Sequence, residues 1–284
     1  MGRANVGNNA GLPTATPYFA APLWSLQASR ARFRLALVGA DPLAPLMELP
    51  GLEAAVTRVR DAVTAVHRHP VNRRRWPVTA AEASVRAARA SAALDGGPTR
   101  LPRDGSVDNP VLAGAVRVAQ ALGGLLSTWQ RAPLQALARL HVLAAADLAP
   151  EPELGRPDPS PAVTARLDGL AYLVAGGTQV PAPVLVAVVH GELLALAPFT
   201  RANGVVARAA ARLTVVSSGL DPKGLVVPEV AHLRQEREYR TAAAGFAAGG
   251  AQPVGEWILH CCGALTAGAR EALSIAKSST ESNQ

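Results

Sequence analysis

Apolar residues recur at three- and four-residue steps over most of the chain, in stretches separated by proline, glycine and polar residues. The repeat is clearest over 52–66, where Leu52, Val56, Val59, Val63 and Val66 fall on one face. Arg58, Arg60 and Asp61 lie elsewhere around that wheel, which predicts an amphipathic helix. Another helix is expected over 24–38, ahead of a proline-rich turn. Thr79 with Glu82 three residues on has the form of a capping box, so a helix is expected over 80–94, stopped by Gly96 and Gly97. Asn109-Pro110 opens a helix to about 127, Pro133 one to about 148, and Ser160 or Pro161 one to 174. Pro181 and Pro183 precede the most apolar segment, which ends at Pro198 and is apolar on every face. That is the pattern of a helix enclosed by others. Further helices are expected over 204–216, 228–246 and 255–277.

The order of these segments predicts an all-α fold with two central buried helices flanking the loop near residue 200. Residues 1–20 and 278–284 read as tails and 21–78 as a helical region packed on the core. The main helical domain spans 79–277. No fixed-period repeat appears, which argues against a solenoid.

Composition agrees with helices. Alanine, the strongest helix former, supplies roughly a fifth of the 284 residues. Aromatic residues are 4% and charged residues 17% of the chain, while 49% is hydrophobic, a balance that argues against disorder. The net charge of +7 comes almost wholly from arginine and by itself selects no partner. Cys261 and Cys262 are adjacent in a helical segment and point to different faces. That excludes a disulfide-stapled fold and a cysteine zinc site. The first 17 residues lack the apolar core of a signal peptide. The longest apolar stretch, 184–199, is broken by His190 and Glu192 and is short for a bilayer. These features predict a cytoplasmic protein that does not engage a membrane.

Most chemical motifs are missing. There is no P-loop and no dinucleotide fingerprint. His67 and His69 are two apart, on different helical faces, and read as a solvated helix end rather than metal ligands. Arg73, Arg74 and Arg75 have one aromatic neighbour and no nucleic-acid motif around them. They read as a solvated connector, which argues against nucleic acid as a partner.

The segment 190–208 is different. A buried helix, a Pro198-Phe199 break and a short loop lead into a second buried helix at Asn203-Gly204. A helix N-terminus there offers unpaired N–H groups and a positive dipole end to an anion. Arg201 in the loop and Arg208 one turn into the helix can add charge.

This stretch resembles the signature of the Fic (Fido) family, H-P-F-x-[D/E]-G-N-G-R-x-x-R, at Pro198, Phe199, Asn203, Gly204 and Arg208. His190 lies seven before the motif's first position, where many members carry a histidine. Ser91 to Gly96 resembles the family's inhibitory-helix motif, with Asp95 in place of glutamate. Leu154-Gly155-Arg156 resembles the flap, and 239–272 with Trp257 the closing helices. The resemblance implies a nucleotidyl transferase fold over about 79–275, with Asp95 pairing to Arg208.

The departures change what the resemblance implies. Ala197 stands where the family has its catalytic histidine, the base that takes a proton from a target hydroxyl. Arg201 replaces the acidic metal ligand, Ala202 the first glycine and Val205 the first arginine. Loss of a base costs about 10²–10⁴-fold, and loss of the metal several kcal/mol more. His190, about 10.5 Å of helical rise away, is expected to be a core residue rather than a substitute base. No catalytic residue and no metal ligand is assigned. Arg201, Asn203, Gly204 and Arg208 are the expected ligand-binding residues, with Ser91 and Asp95 on the inhibitory helix. The expected ligand is ATP or another nucleotide or phosphate-bearing molecule held without Mg²⁺, with Arg201 in the metal's place, or else a protein partner. Two alternatives stay open: an active nucleotidyl or phosphoryl transferase with atypical catalytic residues, and a regulatory interaction protein of toxin–antitoxin type.

Overall fold

The computed structural model describes residues 41–98 and 107–281. The helix expected over 24–38 lies outside them. Every regular element among the described residues is helical. In chain order they are α1 (Leu52–Arg68), α2 (Pro70–Arg74), α3 (Trp76–Leu94), α4 (Pro110–Arg131), α5 (Pro133–Ala145), α6 (Pro161–Tyr172), α7 (Ala182–Leu196), α8 (Asn203–Ser217), α9 (Pro228–Arg234), α10 (Glu236–Ala248) and α11 (Ala251–Glu281). Short 3₁₀ turns occur at Ala44–Glu48 and Glu151–Glu153, and a π turn at Leu173–Gly177 closes α6.

The antiparallel pair α7 and α8 forms the centre because each helix is apolar on two sides. On one side Val184, Val186 and Ala187 of α7 and Ala211 and Val215 of α8 pack against α1, α10 and α11. On the other, Val189, Leu193 and Leu196 of α7 and Val205, Val206, Ala210 and Leu213 of α8 pack against α3, α4, α5 and α6. Small alanines let α8 be covered on both sides, so Arg208 and Arg212 are buried with it. Arg212 donates to the Val226 carbonyl at 3.0 Å and the Gly224 carbonyl at 2.8 Å and pairs with Glu229 at 3.4 Å.

Several sequence expectations are corrected. The polar connector over 70–74 is the short helix α2. Helix α3 starts at Trp76, so Thr79 is not a cap and the boundary at 78/79 falls inside a helix. Thr79 is buried and donates to Asn72 Oδ1 at 2.9 Å, while Glu82 pairs with Arg86 on the surface. The segment 228–246 breaks at Gln235, whose ψ of 43° lies outside the helical range. Residues 278–281 continue α11 instead of joining a tail. His67 is not a solvated helix end, because its Nε2 lies 2.8 Å from the buried carboxylate of Asp221. Helix α4 has the length and composition to cross a bilayer, with a mean hydropathy of 1.4, although Leu112, Ala115, Val118 and Trp129 face the core. Cys261 and Cys262 are free and buried.

Candidate anion site at the α7–α8 loop

Helix α7 ends as Ala197 takes a left-handed conformation, φ 42° and ψ 59°. The chain turns through Pro198 and Phe199, and Ala202 takes a second left-handed position, φ 57° and ψ 20°, before α8 begins. Asn203 holds this turn closed. Its Oδ1 accepts from the Phe199 N–H at 2.9 Å and its Nδ2 donates to the Phe199 carbonyl at 2.6 Å. Asn203 is thus the loop's staple, with both ends of its amide engaged inside the loop.

The segment before α6 rests on the same turn. The Asp158 N–H donates to the Pro198 carbonyl at 2.8 Å. His141, on α5, accepts the Gly155 N–H at Nδ1, 2.9 Å, and stacks its ring on Phe199 at 4.1 Å. His141 is fully buried. Burial holds its pKa below the usual histidine value, partly offset by the Arg201 backbone and Glu153.

Helix α3 ends beside the N-terminus of α8. Gly96, at φ 84°, and Gly97, whose N–H reaches back to the Ala92 carbonyl at 2.8 Å, terminate it. Ser91 and Asp95, four apart and on one face, then meet α8. Arg208 Nη2 donates to Asp95 Oδ1 at 2.8 Å and to the Ser91 carbonyl at 2.8 Å, while Nε donates to Ser91 Oγ at 2.8 Å. The other carboxylate oxygen of Asp95 accepts the Val205 N–H at 3.0 Å. A Cβ at position 204 would collide with the same carboxylate, so glycine there is what admits it. Asp95 therefore occupies the N-terminus of α8, where an incoming anion would bind.

Behind Arg208 lies a ring of titratable groups. Arg208 Nη1 donates to Tyr239 Oη at 3.3 Å, and Tyr239 Oη lies 2.9 Å from His190 Nε2. The His190 ring is edge-on to His232, whose Nδ1 lies 3.1 Å from His260 Nε2. Burial works against the Arg208 charge, but Tyr239 and Asp95 outweigh it and raise the pKa. Burial, then Arg208 and His260, hold His190 well below its usual value. Burial, then His190, His260 and Arg208, do the same for His232.

Of the sequence-predicted residues, the fold brings Ser91, Asp95, Gly204 and Arg208 together. Arg201 is exposed in the loop and makes no ion pair among the described residues. The expected core role of His190 is observed. The roles of His141, Tyr239, His232 and His260 carry no sequence signal, since their partners lie tens of residues away. The position where the resembling motif carries its acidic metal ligand is here the exposed cation Arg201, and among the described residues no three His, Cys, Asp or Glu side chains are grouped as metal ligands would be.

Comparison with protein-family models and curated protein sequences finds no match. Comparison with solved structures does. A Fic family protein from Desulfovibrio desulfuricans G20 superposes with a TM-score of 0.64 at 22% identity, over 79% of this chain and 74% of that one. Fic-1 from C. elegans superposes with a TM-score of 0.62 at 18% identity, over 84% of this chain and 75% of that one. A singly substituted Fic-1 gives 0.61 at 18% identity, over 82% and 74%.

Proposed function

From a Fic fold whose motif loop lacks the family's base and metal ligand, we propose that this chain binds a nucleotide or other phosphate-bearing ligand at the N-terminus of α8. Ordinary AMP transfer is not its activity. Asp95 is a built-in competitor for the site. The observation that carries this reading is the Asp95 carboxylate itself, held by the Val205 amide and the Arg208 guanidinium. Those are donors suited to a phosphate oxygen, and charge-assisted bonds of this kind are worth about 1.5–3 kcal/mol.

Against transfer chemistry, Ala197 accepts no proton, and His141 and His190 are buried. A general base must come within hydrogen-bond reach of the target hydroxyl.

Calorimetry with ATP, ADP and AMP, with and without Mg²⁺, tests the reading. Asp95→Asn keeps the side-chain shape and removes the competing charge, so it should bind the preferred nucleotide about 10–100-fold more tightly than the wild type. Mg²⁺ should add little, and Arg208→Ala should abolish binding. No heat with any nucleotide in Asp95→Asn sinks the proposal. Labelled AMP transfer to protein that depends on Arg208 would instead establish a transferase.

A further inference from the structure

The ring behind Arg208 places His190 and His232 inside the core and His260 at its partly exposed end. We propose that ligand binding at the α8 N-terminus is coupled to protonation of His190, His232 and His260. Acidification then favours the state in which Asp95 has left and an external anion has taken its place. This rests on reading the α8 N-terminus as an anion site.

The contacts form an unbroken series. Asp95 bonds Arg208, Arg208 bonds Tyr239, Tyr239 bonds His190, His190 packs on His232, and His232 bonds His260. His260 is the partly exposed end, so protons enter there. Arg208 donates to Tyr239, and assigning the tyrosine's own hydrogen to His190 makes Nε2 the unprotonated nitrogen.

Each element packed on the ring presents charge that decides the outcome. Helix α3 brings Asp95, already paired with Arg208. Helix α8 brings Arg208 and Arg212. Helix α9 brings Glu229, engaged by Arg212, and α10 brings Tyr239 and the exposed Glu238. Helix α11 brings Cys261, whose thiol burial holds well above its usual pKa. Asp221, on the far wall of the adjoining cavity, is bonded to His67 and the Val226 amide. The buried carboxylates here are thus committed, so a proton on His190 or His232 meets Arg208 as a second cation without a free counter-ion, while on His260 it meets the charge of Glu238.

Two routes relieve that charge, and both lead the same way. Added positive charge beneath the α8 N-terminus favours a multiply charged anion over the single charge of Asp95. It also loosens the hold of α10 on α3, because that helix contributes both the Tyr239 contact to Arg208 and the Arg240 bond to the Leu94 carbonyl, 2.7 Å.

The test uses inorganic sulfate, which does not titrate between pH 5.5 and 7.5, and the full chain. Sulfate should bind about threefold more tightly at pH 5.5 than at 7.5, through proton uptake by a histidine whose pKa rises on binding. Wild-type calorimetry in buffers of differing ionisation heat near pH 6 should show net proton uptake on binding. His260→Gln and His232→Phe should retain binding at pH 7.5 and lose the acid enhancement. Equal affinity at the two pH values, zero proton uptake, or an enhancement that survives in both variants overturns the coupling and leaves the site reading standing. Absence of sulfate binding in both the wild type and Asp95→Asn overturns the site reading and the coupling with it.

Discussion

Two alanines carry the backbone strain of the loop. Ala197 and Ala202 are the positive-φ residues other than glycine among the described residues, and they bracket the turn. An L-residue in this region costs roughly 1–2 kcal/mol. The resembling motif places glycine at the position of Ala202, yet a sequence does not reveal whether φ there is positive. Its value of 57° means that the methyl group is strained. Ala202→Gly should therefore stabilise the protein by about 0.5–1 kcal/mol after glycine's added unfolded-state entropy is set against the relief. That corresponds to a rise of about 2 °C in the thermal midpoint. A lowered midpoint would mean that the turn gains more from the methyl group's packing than it loses in strain. Asp95 was more legible. The resemblance implied its pairing with Arg208, and that partner offsets the unfavourable dipole a carboxylate meets at a helix C-terminus.

Among the helices, α4, α5 and α6 were legible from the proline or capping side chain that opens them, whereas α2 and α3, also opened by proline, were not. Asn109 caps α4 by accepting the Leu112 N–H at 3.0 Å, and Ser160 caps α6, both as their sequences suggest. The start of α3 went the other way. Thr79 and Glu82 have the spacing of a capping box, but Asn72, seven residues earlier, returns through α2 to claim the threonine hydroxyl. Thr79→Val should then cost about 1–3 kcal/mol by leaving a buried amide oxygen unpaired. Glu82→Ala, which loses one exposed pair with Arg86, should cost only about 0.3–0.5 kcal/mol. Urea denaturation of the two variants decides between the arrangements, because a true capping box would make the losses comparable. The break at Gln235 between α9 and α10 had no such marker. Neither glycine nor proline lies near it, and it directs His232 and Tyr239 toward the same buried ring.

At the scale of the whole molecule the balance of +7 places no ligand, but the distribution of histidines makes a claim about stability. Burial is the main cause that lowers the pKa of His141, His190, His232 and His260. Each is neutral in the folded chain at a pH where an unfolded histidine already takes a proton. Below about 6.5 the unfolded state thus binds more protons, and stability falls with pH by up to about 1.4 kcal/mol per unit for each group held neutral. Above that value the histidines contribute no slope. Asp41 has the opposite charge type, and its lowered pKa acts only as pH falls through the carboxylate range, a separate window. Between pH 6.5 and 5.5 the three most buried rings together should remove roughly 2–4 kcal/mol. Urea midpoints should therefore be level from pH 8 to 7 and fall steeply toward 5.5. His232→Phe, which keeps a ring in the core, should flatten that descent. A midpoint that stays constant to pH 5.5 would show that these rings take up protons in place, which requires counter-charge that Glu229 and Asp221 have already given to Arg212 and His67.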